Sequence, residues 1–376
     1  MKIIVLGCGK IGSVAARDFA DSVEGAEVVV ADSSMERAEA AASKIMGGTP
    51  ATFDATDYRG LVETLKEFDL VIGALPGDYG YNALRAVVEA GVNMVDVSFT
   101  AEDPLELDGA AEKAGITIVP DCGVAPGISN MLVGYGASKL DQVQEAHIMV
   151  GGLPEQVVPP LGYTITWSAE GVIDEYVRGA RIVEGGRVVE VPALSGIEEI
   201  DFPGVGKLEA FYTDGLRTLV RTIPGVESMW EKTLRYPGHI DKIGLLRDLG
   251  FFDEDNVAVG DVRVSPRLMT ARLLERSLWR PEVGDILAMT VEVAGVKQGE
   301  AARFRYYLLD RFDEETKVTA MARTTAYTAS IVAQKLAQGA IEEKGVIPPE
   351  RLGMNHVFFK GLLSELKARG VKVEEA

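Results

Sequence analysis

The sequence predicts an α/β protein of two domains: a doubly wound parallel sheet, followed by an α+β domain with a mainly antiparallel sheet. Over the first 120 residues, short apolar β-branched runs alternate with helical patterns, as in a parallel sheet covered on both faces. A glycine-rich motif directly follows the first run. From about residue 145, β-type runs succeed one another with few helical patterns between them, which indicates antiparallel pairing.

The elements of the first domain are predicted from apolar runs and helix caps. Strands are predicted at Ile3–Leu6, Glu27–Ala31, Ala51–Phe53, Leu70–Ala74, Asn93–Val97 and Thr117–Val119. Helices are predicted at Ser13–Ser22, from Ser33 with Ser33 or Asp32 as its cap, and at Tyr58–Lys66, Asn82–Ala90 and Glu106–Ala114. Six strand–helix units fit the Rossmann dinucleotide-binding fold.

The remainder of the chain predicts an inserted substrate domain and a returning helical segment. A helix is predicted at Ile128–Leu140. The β-type runs are His147–Val150, Tyr163–Trp167, Arg187–Val191, Leu208–Tyr212, Ala258–Val264, Ile286–Ala294 and Ala302–Leu309. Helical patterns return at Thr325–Gln338 and Phe358–Arg369. We expect a Rossmann domain over 1–127, a substrate and dimerisation domain over 128–322, and C-terminal helices over 323–376 that return to the Rossmann domain.

The composition excludes several classes of function. Among 376 residues, 38 Lys and Arg stand against 57 Asp and Glu, a formal net charge of −19 at pH 7. Nucleic acids and anionic membranes both select basic surfaces, so we expect neither as a partner. Two Cys without a CxxC or HExxH spacing predict neither a disulfide framework nor a metal site. No apolar run has the length of a signal peptide or a membrane span, so a cytoplasmic location is expected.

The motif Gly7-Cys8-Gly9-Lys10-Ile11-Gly12 follows a predicted strand and opens a predicted helix. In that context Gly7 permits the tight turn, Gly9 lets the backbone approach a pyrophosphate, and Gly12 allows close helix–strand packing. Lys10 and Ile11 would add backbone N–H groups at the helix N-terminus, which favours bound phosphate. The alternative is that the glycines serve only a tight turn.

Asp32 lies 20 residues after Gly12 (32 − 12), at the end of the second predicted strand. This is the position of the carboxylate that binds the 2′-hydroxyl of the adenosine ribose. Asp32 and the adjacent Ser33 therefore predict NAD as the coenzyme, although Arg37 is close enough to leave NADP open. Alternatively, Asp32 only caps a helix.

Further strand ends are expected to line the same crevice, because ligands of open α/β sheets bind beyond the carboxyl ends of the strands. Asp54 is predicted near the adenine, or as the cap of the helix that begins near Asp57. The segment Ala74, Leu75 and Pro76 is predicted beside the nicotinamide ribose. Asp96 and Ser98 end the fifth strand, where a cap or a salt bridge is the alternative role for Asp96.

Several stretches resemble the saccharopine dehydrogenase-like family, and within it most of all the NAD-dependent lysine 6-dehydrogenases. They are Asp121–Asn130, Val150–Pro154, Thr213–Arg217, Arg235–His239 and Met321–Thr325, and the resemblance covers nearly the whole chain. It implies a Rossmann domain, a sheet-containing substrate domain and a homodimer. It also implies oxidative deamination of the ε-amino group of L-lysine to 2-aminoadipate 6-semialdehyde, by hydride transfer and imine hydrolysis.

That reaction sets physical requirements on the site. Only a neutral amine has the lone pair that drives hydride loss, yet the side-chain amine of free lysine has a pKa near 10.4. A base or desolvation of the ammonium must therefore remove a proton. The ε-carbon must also lie about 3–3.5 Å from the nicotinamide ring, and a cation must anchor the carboxylate.

Four residues are candidates for these tasks. We expect Arg235 to bind the substrate carboxylate, since a guanidinium binds carboxylates bidentately; a surface salt bridge is the alternative. His239 is a candidate base because its ordinary pKa lies near neutral pH, with a structural hydrogen bond as the alternative. Asp121 and Asp96 are candidates to hold the ammonium or accept its proton, although Asp121 equally fits a role in orienting the Ala125–Gly127 turn.

Other residues are expected to shape the substrate pocket. Tyr163 and Trp167 are four residues apart on one face of a predicted strand and would wall the pocket, with core packing as the alternative. Thr213 is a candidate polar contact.

Two alternative functions stay open. Saccharopine reductases and carboxyspermidine-type dehydrogenases share the hydride step and differ in the substrate. A substrate with two carboxylates needs more than one basic residue to bind it. The sequence offers Arg235, Arg217 and Arg323 for this task, so a substrate of this kind stays open. A non-enzymatic dinucleotide-sensing regulator belongs to another class, and the acidic balance without a DNA-binding appendage counts against it.

Overall fold

The computed structural model describes residues 1–280 and 282–375, and the chain divides into two compact units. Unit 1 comprises Met1–Lys139 and Ala322–Lys372, and unit 2 comprises Leu140–Met321 and the residues from Val373 onward. The domain ends expected from the sequence therefore shift. The helix predicted at Ile128–Leu140 falls in unit 1 rather than in the substrate domain, and the last residues fall in unit 2 rather than with the returning helices.

The first segment of unit 1 alternates strands and helices along the chain. The strands are β1 (Lys2–Leu6), β2 (Glu27–Asp32), β3 (Thr49–Thr52), β4 (Leu70–Gly73), β5 (Asn93–Asp96) and β6 (Thr117–Val119). The helices are α1 (Lys10–Ser22), α2 (Met35–Ala42), α3 (Tyr58–Leu65), α4 (Gly77–Ala90), α5 (Asp108–Ala114) and α6 (Ile128–Ala137). Four helices begin at other residues than predicted: α1 at Lys10, α4 at Gly77, α5 at Asp108, and α2 at Met35 because Ser34 is its cap.

Unit 2 is rich in strands. They are β7 (Gln142–Pro154), β8 (Ala180–Glu184), β9 (Arg187–Val191), β10 (Glu198–Phe202), β11 (Gly206–Thr213), β12 (Ser228–Arg235), β13 (Val257–Val259), β14 (Val262–Val264), β15 (Asp285–Lys297) and β16 (Glu300–Arg311). Its helices are α7 (Ala169–Val177), α8 (Leu219–Thr222), α9 (His239–Asp248) and α10 (Pro266–Leu278).

The last segment carries α11 (Ala320–Ala337), β17 (Gly345–Val346), α12 (Pro349–Met354), α13 (His356–Ala368) and β18 (Val373–Glu375). Asp285 holds the start of α11, because its carboxylate accepts hydrogen bonds from the backbone N–H groups of Ala320 at 2.7 Å and Met321 at 3.0 Å. Among the helices of the described residues, none is long and apolar enough to cross a membrane.

The sheet of unit 1 has seven parallel strands in the order β17-β6-β5-β4-β1-β2-β3. The predicted parallel sheet is thus confirmed, and β17 adds a strand beside β6, with Gly345 opposite Thr117. Apart from the edge strand β3, the strands with helix neighbours along the chain are nearly continuous buried runs, as expected when helices cover both faces. The strand order reverses between β1 and β4, which is where such sheets bind nucleotides.

The main sheet of unit 2 has nine strands along the path β10-β11-β12-β7-β15-β16-β18, with β8 beside β12 and β9 beside β8. In the described part of the chain its pairs are antiparallel except β12 with β7, which is parallel. The predicted, mainly antiparallel sheet is confirmed. Its long strands β7, β15 and β16 extend well beyond the predicted runs.

Some predicted strands in unit 2 are wrong. Tyr163–Trp167 is an irregular segment, in which the Ile165 N–H donates to the carbonyl of Leu278 at 3.1 Å. Its β-branched and aromatic residues alternate because they are buried. The segment pairs with no strand among the described residues. Ala258–Val264 forms a separate two-stranded hairpin, β13–β14. Strand β12, which carries Arg235, was not predicted.

Two glycines let α6 and α12 of unit 1 pack closely. A Cβ atom at Gly134 would lie 2.1 Å from the carbonyl oxygen of Glu350, and one at Gly353 would lie 2.0 Å from that of Met131. Both distances are far below van der Waals contact, so the two helices pack backbone to backbone at this point.

Candidate functional site

The glycine-rich turn of unit 1 is fixed by close backbone contacts. Gly7 follows β1 with a φ of 96°, and a Cβ atom there would lie 2.4 Å from the carbonyl oxygen of Ala74. A Cβ atom at Gly12 would lie 1.9 Å from the carbonyl oxygen of Gly7. Packing therefore demands glycine at both positions, as the motif predicts.

Gly9 has a different environment from these two. A Cβ atom there would meet nothing within 4 Å, so the protein itself does not require glycine at this position. Gly9 caps α1 without a side-chain hydrogen bond, and the first turn, which includes Lys10 and Ile11, carries no acidic residue. Helix N-termini of this kind bind phosphate through backbone N–H groups, so the turn fits the pyrophosphate of a dinucleotide.

Asp32 at the end of β2 is buried and fully engaged. Its Oδ2 accepts from the Cys8 N–H at 2.9 Å, and its Oδ1 accepts from the Ser34 N–H at 2.9 Å. Arg37 donates to the same Oδ1 through Nε at 3.0 Å and Nη2 at 2.6 Å. Burial opposes ionisation, but these hydrogen bonds hold the pKa of Asp32 below its ordinary value. Ser33, whose Oγ lies 3.4 Å from Oδ1, is not the helix cap.

The Asp32–Arg37 pair was not foreseen from the sequence. The two residues are five apart, and the strand-to-helix turn brings the guanidinium back over the carboxylate. The pair places one negative and one positive group at the position where a ribose 2′ substituent is recognised.

The remaining predicted coenzyme residues lie on loops that follow strands of unit 1. Asp54 binds the N–H of Thr56 at 2.8 Å and its hydroxyl at 2.6 Å, while Asp57 caps α3. The alternative of Asp54 as that cap is therefore wrong. The predicted segment Ala74, Leu75 and Pro76 joins β4 to α4.

Asp96 and Asp121 are brought together at the ends of β5 and β6. Both are buried, and the backbone of Cys122 connects them, because its N–H donates to the carbonyl of Asp96 at 2.8 Å. Burial and the negative charges of both aspartates raise the pKa of the Cys122 thiol. Asp96 accepts hydrogen bonds from the N–H of Ser98 at 3.1 Å and from its hydroxyl at 2.9 Å.

Arg235 ends β12 in unit 2 and is only 2% exposed. Its Nη2 donates to Oε2 of Glu175 at 2.6 Å and its Nη1 to the carbonyl of Leu234 at 2.9 Å. The guanidinium carbon lies 4.6 Å from the ring centre of Tyr163. Nε is buried and has no hydrogen-bond partner among the described residues. Arg235 is thus a buried cation with one N–H group that has no hydrogen-bond partner among the described residues. The alternative of a surface salt bridge is excluded.

His239 is also buried beside this group, but its hydrogen bonds argue against the predicted role as a base. Nδ1 lies 2.9 Å from the carbonyl oxygen of Leu161, so it carries the proton and donates. Nε2 lies 2.9 Å from the hydroxyl of Tyr176 and accepts from it. Burial first, and then the charge of Arg235, lower the pKa of His239 to about 3. A neutral imidazole with both nitrogens occupied holds Tyr176 in place.

Tyr163 and Trp167 lie on the irregular segment before α7, and Tyr163 contacts Arg235. The ring of Tyr163 meets that of His239 edge to face, with centres 5.5 Å apart, and burial raises the pKa of its hydroxyl to about 12. Trp167 lies over the first turn of α7, where a Cβ atom on Gly171 would be 2.3 Å from its ring. Both aromatic residues thus lie on an irregular segment instead of the predicted strand, and their place in the pocket wall stays a prediction.

Glu231 and Glu175 are the acidic residues that the sequence interpretation missed. Glu231 lies on β12 and is 4% exposed. Its Oε1 is 3.5 Å from the hydroxyl of Thr213, and its Oε2 is buried without a hydrogen-bond partner among the described residues. Burial raises its pKa to about 8, and the charges of Glu175 and Asp214 add to the rise.

Side chains at 231, 233 and 235 share one face of β12, since successive side chains alternate across a strand. Thr213 of β11 stands opposite Glu231 in the register, and its hydroxyl lies 3.0 Å from that of Thr233. We call this group the polar cluster; its members are Glu175, Thr213, Glu231, Thr233 and Arg235. A polar residue at every second position would have revealed it, had the strand been predicted.

One further group in the described residues has the spacing of metal ligands: Glu145, His147 and Glu292. Glu292 is already bound by Arg303 and Arg305, and the ring of His147 stacks on that of Trp230 with centres 4.2 Å apart. These contacts explain the group as surface ion pairing.

Family models match both parts of the chain. The model named Saccharopine dehydrogenase NADP binding domain matches residues 3–119, and the one named Saccharopine dehydrogenase C-terminal domain matches residues 123–371. The chain belongs to the saccharopine dehydrogenase family. The resemblance stated from the sequence motifs is confirmed at this level.

One similar curated protein is saccharopine dehydrogenase (NADP(+), L-glutamate-forming) of Schizosaccharomyces pombe. The two chains are 28% identical over 268 residues, which cover 67% of this chain and 58% of the relative. Carboxyaminopropylagmatine dehydrogenase of Synechocystis is 22% identical over 375 residues, covering 93% of this chain and 92% of the relative. The chain thus spans less than two thirds of the length of the yeast enzyme it matches.

Among solved structures, apo saccharopine dehydrogenase (L-Glu forming) from Saccharomyces cerevisiae aligns with a TM-score of 0.79 at 20% identity. The alignment covers 100% of this chain and 99% of that one. At this identity the match shows a shared fold. The family model over residues 3–119 supports a pyridine nucleotide as the coenzyme of unit 1.

Proposed function

We propose that this member of the saccharopine dehydrogenase family is an NAD-dependent dehydrogenase that oxidatively deaminates the ε-amino group of L-lysine. The observation that carries the proposal is the charge content of the polar cluster. One buried guanidinium, Arg235, stands beside two carboxylates, Glu175 and Glu231. This is the complement of a substrate with one carboxylate and two ammonium groups, which describes lysine.

The reaction is balanced as follows. The nicotinamide coenzyme, when bound, supplies the acceptor for the hydride that leaves the ε-carbon. The remaining imine takes up water and releases ammonia, which yields 2-aminoadipate 6-semialdehyde. Before this step the ε-ammonium must lose a proton, and His239 is unsuited to accept it because both ring nitrogens are occupied.

NAD rather than NADP is supported by Asp32. Its carboxylate stands at the end of β2, where it would accept a hydrogen bond from a ribose 2′-hydroxyl and repel a 2′-phosphate. Arg37 is the group that would favour the phosphate, but it is bound to Asp32 at 2.6 Å. As long as Asp32 is present, that guanidinium is largely neutralised.

The predicted roles of Asp96 and Asp121 belong to this proposal as well. Both are buried carboxyl groups beside Cys122, and both follow the strand ends that border the nucleotide turn. Asp96 is held by Ser98 at both oxygens. We assign it an orienting role and keep Asp121 as a candidate to hold the substrate ammonium.

A saccharopine-type substrate is the second candidate, and one observation favours it. Arg217 is 4% exposed, and its charge acts on Glu231, so a second buried guanidinium lies near the polar cluster. The names of the yeast relatives point in the same direction. A substrate with several carboxylates would use Arg217 in addition to Arg235.

A direct assay separates these candidates. Purified protein is mixed with NAD or NADP and with L-lysine or saccharopine, and absorbance at 340 nm is followed. Turnover with L-lysine and NAD is the expected result. Turnover with saccharopine but not lysine would overturn the lysine assignment and retain the family chemistry, while silence with both would reject the proposed function.

A further inference from the structure

Glu231 differs from two nearby carboxylates of unit 2, Glu175 and Asp214, in what its oxygens contact. Glu175 is bound by Arg235 at 2.6 Å, and Asp214 is bound by Arg181 through two hydrogen bonds of 3.0 and 3.1 Å. Glu231 has the 3.5 Å contact to Thr213 at one oxygen and no partner at the other. A buried polar atom without a partner costs folding free energy, which points to a ligand group that satisfies it.

We propose that Glu231 binds the side-chain ammonium group of the substrate and accepts its proton, while Arg235 and Glu175 hold the amino-acid head group. The inference rests on the proposed function, since it assigns the parts of a diamino monocarboxylic acid to particular residues. In the transfer an N–H bond of the ammonium breaks and an O–H bond forms on Glu231. The amine keeps the electron pair that hydride loss requires.

The backbone holds the Glu231 carboxylate in place. A Cβ atom at position 215 would lie 1.7 Å from Oε1 of Glu231 and 2.1 Å from Oε2, so Gly215 leaves the space that the carboxylate occupies. Thr213 faces it from β11. The carboxylate is thus positioned from two strands and leaves Oε2 as the accepting atom.

Glu231 and Arg235 lie at separate points on one face of β12, so each can bind a different end of such a substrate. Residues 231 and 235 share one face, and at roughly 3.3 Å per residue their Cα atoms are about 13 Å apart. The unpartnered Nε of Arg235 is available to a carboxylate, and Glu175, whose Oε2 is bound to Arg235, would bind an α-ammonium through Oε1. Glu231, further along the strand, is left for the distal cation.

The charged groups around Glu231 agree with a cationic ligand. Glu175 and Asp214 raise its pKa, whereas Arg217 and the Thr213 hydroxyl lower it. The net result, a pKa of about 8, means that Glu231 is mostly protonated near neutral pH in the unliganded protein. Binding of an ammonium should therefore expel this proton, and the effect should fade as the pH rises through about 8.

The other carboxylate on this side of β12 is otherwise occupied. Glu209 stands opposite Arg235 in the register, but its oxygens accept from the N–H groups of Gly238 at 3.1 Å and Ile240 at 2.7 Å. It therefore caps the first turn of α9 and does not compete for the substrate.

The test compares L-lysine with L-norleucine, which has the same head group and lacks the ε-amine. Binding to full-length protein loaded with reduced coenzyme, so that no hydride acceptor is present, is measured by titration calorimetry. E231Q should weaken the binding of L-lysine by about tenfold or more, because a charge-assisted hydrogen bond is lost. The affinity for L-norleucine should stay within about twofold of the wild-type value. E198Q is the matched control, because Glu198 pairs with Lys232 on the opposite face of β12.

Proton release provides a second readout that needs no variant. At about pH 7, titrations in buffers of different ionisation enthalpy should show up to about one proton released per L-lysine bound and none with L-norleucine. In turnover, E231Q should lower kcat/KM by about 100-fold or more, the range for loss of a general base, and abolish the wild-type acid limb.

The outcomes are distinct. If E231Q loses the same affinity for both ligands, or for neither, the role assigned to Glu231 is overturned. Lysine turnover by the wild type would still support the proposed function. If E231Q does not fold, the absence of proton release in the wild type would overturn it alone. Failure of the wild type to bind or oxidise L-lysine removes both the proposed function and this inference.

Discussion

Asp32 and Arg37 form a side-chain pair through which the proposed preference for NAD can be tested. Replacing Asp32 by Ser would keep a hydroxyl near the ribose and release Arg37 to bind a 2′-phosphate. We expect the ratio of kcat/KM for NADP to that for NAD to rise by about tenfold or more, since a charge-assisted hydrogen bond replaces a repulsion.

The control for this prediction is Arg37→Ala in the Asp32→Ser background, which should remove the gain in NADP use. Steady-state kinetics with both coenzymes make the measurement. An unchanged ratio of kcat/KM for the two coenzymes in Asp32→Ser would show that neither Asp32 nor Arg37 distinguishes the 2′-hydroxyl of NAD from the 2′-phosphate of NADP.

Glu231 also predicts how folding stability varies with pH in the absence of substrate. Its pKa is about 8 in the folded protein, against an ordinary value of 4.5 for glutamate. A raised pKa means that its contribution is fully present below about 4.5 and is lost as the pH rises through 8. Glu231→Gln should therefore stabilise the protein at about pH 9, by an amount on the order of a few kcal/mol, and change little near pH 4.5.

Urea unfolding of the wild type and Glu231→Gln across this pH range tests the prediction. Glu198→Gln, which alters a half-exposed carboxylate paired with Lys232, should show no comparable gain at high pH. A Glu231→Gln protein that is less stable than the wild type at every pH would contradict the buried, unpaired state of Glu231.

The sequence predicted those candidate residues whose side-chain type alone suggests a role, without knowledge of the groups that surround them. Arg235 and Tyr163 do lie together, and Asp96 lies near Asp121 because both follow parallel strand ends. For His239, the hydrogen bonds to Leu161 and Tyr176 favour the structural alternative over the base, and its ordinary pKa gave no sign of this burial. Glu231 escaped notice since its importance depends on an oxygen that finds no partner, which only three-dimensional packing determines.

At the level of elements, the helix pair α6–α12 depends on glycine. Gly134→Ala would drive a methyl group into the backbone of Glu350, where the distance is 2.1 Å, so the helices must separate. We expect a loss of roughly 1–3 kcal/mol or more in the free energy of unfolding, typical of overpacking.

Gly109→Ala in α5 is the matched control, because a Cβ atom there meets nothing within 4 Å. That change should be neutral or stabilising by up to about 1 kcal/mol, since alanine favours helices over glycine. Chemical denaturation of both variants measures the difference. Equal stabilities for the two variants would mean that α6 and α12 do not pack as closely as described.

Element prediction succeeded where one pattern dominates the chain. The parallel strands of unit 1 are short, continuous apolar runs, and all six predicted from the sequence exist. In unit 2, β7 and β15 are 13 residues each and include polar positions that break the apolar pattern. Tyr163–Trp167 has the composition of a strand, yet its backbone has no neighbouring strand, and composition alone does not supply one.

For the whole molecule, the hairpin β13–β14 bears on assembly. Val257, Val259 and Val262 are 48%, 61% and 62% exposed, and a lone two-stranded hairpin is marginal in water. The homodimer implied by the sequence resemblance stays a proposal, and we place its contact on this hairpin, where antiparallel pairing with a second copy would cover the valines.

Sedimentation velocity provides the check. The wild type is expected to sediment as a dimer, and the double substitution of Val259 and Val262 by Lys as a monomer, since two like charges per chain would meet in the contact. Val188→Lys, at a valine of β9 that is 54% exposed, should leave the dimer intact. A monomeric wild type, or a dimer that survives both changes in the hairpin, would rule out this contact.

The placement of β17 in the sheet of unit 1 has a consequence for biosynthesis. Strand β6 is complete at residue 119, but its partner begins 228 residues after Thr117 (345 − 117). At roughly 5–20 residues per second, a nascent chain would carry β6 as an open sheet edge for about ten to fifty seconds, while unit 2 is being made. Open edges invite pairing with other chains. Slow translation or crowding of ribosomes should therefore increase aggregation, and chaperone binding during this interval should relieve it.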